Sequence, residues 1–104
     1  MKFGMNLLLW TAELHEGLYP VLEQLKAAGF DGVEIPVFHL DVDACSQWAP
    51  RLDDLGLERT AVTVRNAEDN PMSSDASVRA KGVMANQRTL DCCRALGASQ
   101  LVGP

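Results

Sequence analysis

Apolar positions recur along this chain with two alternating periods, one of two residues and one of three to four. From Phe3 to Trp10 the two-residue period places Phe3, Met5, Leu7 and Leu9 on one face and Gly4, Asn6, Leu8 and Trp10 on the other. Both faces are largely apolar, which predicts a strand of a parallel sheet rather than a half-wet antiparallel one. After a loop over Thr11 to Gly17, Leu18, Val21, Leu22, Leu25 and Ala28 fall at helical spacing, with Pro20 tolerable only near the first turn. Gly29 predicts the stop, because glycine enters the left-handed conformation of a helix C-cap without steric cost, and Phe30 is placed to fold back onto Leu25. Val33, Ile35 and Val37 then alternate with Gly32, Glu34 and Pro36 as a second strand.

The same grammar continues. His39 to Gln47 reads as polar and irregular, and Pro50 predicts a short helix beginning near Trp48, with Trp48, Leu52 and Leu55 inward. Gly56 ends it and Leu57 packs back onto Leu52. Thr60 to Arg65 is the third predicted strand, with Val62 and Val64 on one face and Ala61, Thr63 and Arg65 on the other. A turn-rich loop, Asn66 to Asp75, leads to a third helix from about Ala76 to Leu96 with Val83, Leu90 and Cys93 inward. Gly97 stops it, and Leu101 to Pro104 forms a fourth strand. Strand and helix alternating in this way predict an α/β fold with a parallel sheet and right-handed crossovers. Helix-to-strand links are short and strand-to-helix links long and polar, which is expected when function sits at the C-terminal ends of the strands.

Composition narrows the partners. The chain has 104 residues, 47% of them hydrophobic, enough for one ordinary domain, and a net charge of −5. An acidic balance without any basic run disfavours nucleic acid and anionic membranes, since phosphate binding needs clustered Lys and Arg. No apolar stretch approaches a membrane span, and the N-terminus lacks the charge and cleavage pattern of a signal peptide, so the expected location is cytoplasmic. Cys45, Cys92 and Cys93 are odd in number and have no C-x-x-C spacing; they read as buried apolar side chains of a reduced protein.

Candidate chemistry follows from parity. If each strand turns one uniformly apolar face to the helices, the opposite face carries Asn6, Trp10, Glu34, Thr63 and Arg65. Trp10 there would form an apolar wall suited to the C–H face of a sugar, while Glu34 and Arg65 would hydrogen-bond hydroxyls. His39, just past the second strand, is a further candidate contact. The plainer readings are a structural network of Glu34 with Arg65 or Asn6, Trp10 as core filling, and Arg65 in solvent. His15 is a weaker candidate, and Asp53 and Asp54 read as a solvated helix face. No G-x-G-x-x-G follows the first strand, no P-loop is present, and the first strand ends without acidic residues.

Read in order, Gly4 to Thr11, Gly29 to Pro36, Ala61 to Val64, Asn70-Pro71 through Ser77-Val78-Arg79-Ala80, Leu96-Gly97-Ala98 and Leu101 to Pro104 resemble the sugar isomerase/epimerase superfamily with the xylose-isomerase-like TIM barrel. The nearest branch is the ketose 3-epimerases of the D-tagatose and D-psicose type. The resemblance implies that residues 1–104 are strands one to four, the N-terminal half of a barrel that needs about 250 residues. It implies a divalent metal, Mn2+ or Co2+, held by carboxylates and a histidine, and two glutamates that move a proton beside a ketose carbonyl through an enediolate. Those ligands and glutamates belong to later strands, so no catalytic or metal-binding residue is assigned within this segment. The segment's own candidates are substrate contacts: Asn6, Trp10, Glu34, His39 and Arg65. Asn6 stands where the epimerases place an aromatic contact, and Leu14 near one that is usually tryptophan, which leaves the ketose open.

The expected partners are a small sugar and either a homo-oligomer or the C-terminal half of the barrel. Alone, the segment is expected to be inactive. Alternatives within the superfamily are an inosose dehydratase-like or hydroxypyruvate isomerase-like activity. From another class, the alternative is a non-catalytic α/β module binding through its strand edge.

Overall fold

A computed structural model describes residues 1–103; Pro104, the last residue of the expected fourth strand, lies outside them. Four strands, β1 (Gly4–Asn6), β2 (Gly32–Pro36), β3 (Glu58–Val62) and β4 (Leu101–Val102), alternate with three helices, α1 (Tyr19–Ala27), α2 (Val42–Leu55) and α3 (Ala76–Leu96). The strands form one parallel sheet in chain order, β1-β2-β3-β4. Each connection therefore carries its helix over the same side of the sheet, where α1 packs on α2 and α2 on α3. This is the α/β fold with four parallel strands that the alternation predicts.

The glycine stops act as expected. Gly29, Gly56 and Gly97 adopt φ of 99°, 67° and 76°, a region closed to most side chains. Behind each, the chain reaches back: Phe30 N–H donates to the Leu25 carbonyl at 3.1 Å and Leu57 N–H to the Leu52 carbonyl at 3.0 Å. The core lies between sheet and helices and contains Leu7, Leu22, Ile35, Leu52, Leu57 and Leu96, all essentially without solvent contact. Leu14 and Trp48 belong to the same cluster. On the outer side, Arg51 stacks over the rings of Tyr19 and Trp48, 4.6 and 4.3 Å from their centres, while pairing with Glu16 through both carboxylate oxygens.

Four local expectations are corrected. The first strand is shorter than Phe3 to Trp10, because the Asn6 side-chain carbonyl accepts the Leu8 N–H at 2.8 Å and turns the chain into a 3-10 turn over Leu7–Leu9. Leu7 is buried by that turn, and Leu9 and Trp10 become exposed. The second helix begins at Val42, well before Trp48. Asp41 caps it by accepting the Ala44 N–H at 2.7 Å, which makes the region read as irregular from His39 to Gln47 partly helical. Pro50 sits inside this helix, where its missing N–H leaves the Ser46 carbonyl without its helical partner; both residues are exposed.

On α3 the buried positions are Gly82, Thr89, Cys92, Cys93 and Leu96, whereas Val83 and Leu90 are 60% and 56% exposed. Cys92 faces the α2 side, donating to the Leu40 carbonyl at 3.3 Å. Val83 and Leu90 lie roughly half a turn round the helix from it, on the flank that no helix of this segment covers. Of the three positions expected inward, Cys93 is buried, and Val83 and Leu90 are not.

The fourth correction concerns the third strand. β3 begins at Glu58, and its parity is one residue off the expectation. Arg59 Nε donates to the Leu96 carbonyl at 2.7 Å and Ala61 is fully buried among the helices, so Arg59, Ala61, Thr63 and Arg65 turn toward the helix layer. Glu58, Thr60, Val62 and Val64 turn the other way. The two arginines explain the error, because a strand facing helices was expected to show only apolar side chains there.

Candidate functional site

The face of the sheet turned away from the helices is concave and carries one polar row. Asn6 pairs with Glu34 in the β1–β2 register and Glu34 with Thr60 in the β2–β3 register, so the three side chains stand abreast across three strands. The Asn6 amide nitrogen donates to Glu34 Oε2 at 2.7 Å, and the Thr60 hydroxyl donates to Glu34 Oε1 at 3.2 Å. Glu34 is half-buried. An ionised carboxylate offers about four acceptor positions. Two are taken here, which leaves two for hydroxyl donors in the concavity. Asn6 is held at both ends: its oxygen caps Leu8 and its nitrogen holds Glu34. The turn that ends β1 thereby also fixes the carboxylate's orientation.

The concavity itself, about 600 Å³, runs from this row down to the N-terminal strand ends. Lys2 and Glu58 pair across it at 2.6 Å, and the Asp31 carboxylate accepts the Phe3 N–H at 2.8 Å. Pro36, Val62 and Val102 continue the same face toward the C-terminal ends, where it becomes apolar.

The candidate residues separate into three groups. Asn6 and Glu34 meet, as the parity argument requires, and Thr60 joins them. Trp10 is 47% exposed at the end of the 3-10 turn, and His39 is exposed beyond β2 with its ring edge-on to Phe38. Both lie at the C-terminal strand ends rather than in the polar row. Arg65 is apart: its side chain is 10% exposed and bonds to Asn86, Thr89, Asp69 and Thr63 on the helix side. The expected grouping of Arg65 with Asn6 and Glu34 is therefore corrected, for the same parity reason as β3.

Thr60 escaped the sequence reading because β3 has the opposite parity to the expectation, which turns Val62 and Val64, and with them Thr60, toward the helices. The reach of Leu57 back to Leu52 was the available signal, since it brings the next strand in at Glu58. Arg59 was missed as well. Its guanidinium, 9% exposed, bonds the carbonyls of Leu96, Ala49 and Leu57 and pairs with Asp53 at 2.7 Å, tying the ends of α2 and α3 to β3. Asp53 makes this pair from the solvated helix face, its own side chain 66% exposed.

Elsewhere the titratable groups serve structure. Burial, with Cys92 alongside, pushes the Cys45 thiol up to about 12, and burial raises Cys93 too. All three cysteines are free and buried. Among the described residues, no group of three or more His, Cys, Asp or Glu side chains is placed to hold a metal ion. The neighbours of Glu34 are an amide nitrogen and a hydroxyl, so the residues present do not make up a divalent-cation site. No helix among them is long and apolar enough to cross a membrane.

Comparison with known proteins agrees with this architecture. The chain is similar over 99% of its length to a D-psicose 3-epimerase crystallised in the presence of D-fructose, with 26% identity and a TM-score of 0.82. It is similar to the D-allulose 3-epimerase of Methylomonas sp. at 25% identity and TM-score 0.82, and to an L-ribulose 3-epimerase at 27% and 0.81, again over 99% of this chain. It spans only 37%, 36% and 35% of those chains. No curated protein matches the sequence. The family model of the xylose isomerase-like TIM barrel matches residues 22–104, and the chain belongs to that family.

Proposed function

We infer that residues 1–104 are the N-terminal half of a ketose epimerase or isomerase, contributing one wall of the sugar site. The observation that carries this reading is the Asn6–Glu34–Thr60 row on the concave face. It is a half-buried carboxylate fixed by two donors with acceptor capacity left over, in a fold whose ketose-epimerase relatives extend well beyond this segment. In the complete protein Glu34 accepts hydroxyl protons of the bound ketose and holds the sugar in register. Trp10 and His39 stand at the rim, where a flat apolar ring and an imidazole suit the C–H face and outer hydroxyls of a sugar. Arg65 has no part in this contact set.

The reaction is proton removal from the carbon beside the ketose carbonyl and return of a proton to that carbon, through an enediolate. Groups from the remainder of the barrel perform it. The fold family implies a divalent metal, Mn2+ or Co2+. The residues of this segment do not compose its site, so they act only by binding and orienting the substrate. The remaining strands close the barrel against the free edges of β1 and β4.

The test is incubation of the complete protein with D-psicose, D-fructose, D-tagatose and L-ribulose in D2O. The expected result is epimerisation with deuterium appearing at the carbon beside the carbonyl. Absence of turnover on every ketose, with or without added Mn2+, would overturn the reading.

A further inference from the structure

The long link after β3, Asn66 to Asp75, is built as a fixed structure. Its own turns are closed by side chains. Asp69 Oδ1 accepts the Asn66 N–H at 2.7 Å, the Asn66 side chain accepts the Glu68 N–H at 2.9 Å, and the Asn70 side chain accepts the Met72 N–H at 2.9 Å. Arg79 of α3 donates to the carbonyls of Ser73 and Ser74 at 2.8 and 3.0 Å. The middle of the loop lies directly on α3 at Gly82. A Cβ there would come within 2.5 Å of the Asp69 carbonyl oxygen and 2.8 Å of the Pro71 nitrogen. A mid-helix glycine costs about 1 kcal/mol relative to alanine; close approach of this loop accounts for its presence.

Arg65 joins these parts. One guanidinium reaches α3 through Asn86 at 2.8 Å and Thr89 at 2.7 Å, the loop through Asp69 at 3.2 Å, and its own strand through Thr63 at 3.2 Å. Thr63 and Thr89 are the buried polar side chains of the core, and both hydroxyls contact this group. The planar fork of five donors suits such a junction, and a lysine could not reproduce it. We propose that Arg65 is a positioning residue that locks the β3–α3 loop against α3, so that the loop stands as a preformed rim at the C-terminal end of β3 and does not act as a moving lid. The activity arm of this proposal rests on the sugar-enzyme reading above; the structural arm does not.

Hydrogen exchange read by mass spectrometry on Arg65→Met provides the structural arm. Amides of Asn66, Glu68, Met72 and Ser73 are expected to exchange about tenfold faster or more, while those of α1 and α2 keep their protection. Arg65→Lys is expected to restore only part of it. In the complete enzyme, Arg65→Met should raise KM for the ketose several-fold with kcat nearly unchanged, because rim order is lost and the reacting groups are untouched. Unchanged loop exchange would overturn the proposal. So would a raised KM with loop protection intact, which would make Arg65 a direct substrate contact. If Arg65→Met does not fold, Asp69→Asn removes the charge pair and weakens the Asn66 cap while leaving the α3 bonds of Arg65; the same exchange rise, smaller, is expected, and its absence counts against the proposal. A wild-type protein that turns over no ketose refutes the sugar-enzyme reading and leaves the exchange result standing.

Discussion

The two faces of one four-stranded sheet have been put to different uses. Toward the helices, the buried polar side chains among the described residues all have partners. Leu7, Ile35 and Ala61 are sealed in the core, and the two arginines on that face, Arg59 and Arg65, spend their donors on carbonyls, hydroxyls and carboxylates of the protein itself. On the concave face, Glu34 keeps acceptor capacity after Asn6 and Thr60 are satisfied, and Val64 and Val102 remain exposed. A polar group with all its bonds made inside stabilises the fold; one with bonds to spare is available to a ligand. The number of bonds remaining to each polar group, rather than its mere presence, therefore separates Arg65 from Glu34.

Substitutions test that division, and the largest effect belongs to the helix side. Leu52→Ala, at a fully buried position, should cost about 3 kcal/mol in urea unfolding, from lost burial and the cavity left behind. Gly82→Ala pits about 1 kcal/mol of helix propensity against a methyl 2.5 Å from the Asp69 carbonyl. The clash is with backbone, so a net loss of about 2 kcal/mol is expected, with a matching fall in thermal midpoint. A more stable variant would show that the loop is free to move off the helix.

Smaller effects come from titration and from the concave face. The Asn66 N–H, then Arg65, hold the Asp69 carboxyl below its ordinary range, and Ser77 does the same for Asp75 at the start of α3. Carboxyls depressed in the folded state stabilise it above the unfolded pKa of about 4, and that contribution is lost as pH falls through their lower folded values. Loop exchange followed from pH 6 to pH 3 should therefore accelerate, after correction for intrinsic rates, on the acid side of about pH 4. The raised Cys45 thiol predicts no alkylation by iodoacetamide at pH 8 in the native protein and reaction on unfolding. Smallest of all, Thr60→Val removes one donor to a half-buried carboxylate and should change stability by no more than about 1 kcal/mol.

The order of elements was legible because glycine stops and the two periods agree at every junction, down to the return of Phe30 onto Leu25. What escaped was decided by side chains bonding to backbone. Asn6 bends β1 early, Asp41 starts α2 early, and Arg59 and Arg65 place charge on a face where periodicity expects only apolar groups. Asn6 and Glu34 could be grouped from alternation alone, since neighbouring parallel strands set them abreast. Thr60 could not, because one residue of register separates it from the wrong face. Val83 and Leu90 were legible as an apolar stripe, but nothing in a single helix says which neighbour covers it.

The central claim, that Glu34 faces a sugar and not merely its two neighbours, is tested most directly by Glu34→Gln in the complete protein. Ketose turnover in D2O and thermal unfolding are measured on the same samples. The account predicts that epimerisation and deuterium incorporation fall about ten- to a hundredfold, as loss of a charged hydroxyl acceptor implies, while the unfolding free energy moves by no more than about 1 kcal/mol. Turnover at the wild-type rate, or a collapse of stability with the surviving folded protein fully active, would make the Asn6–Glu34–Thr60 row a structural brace and contradict the claim.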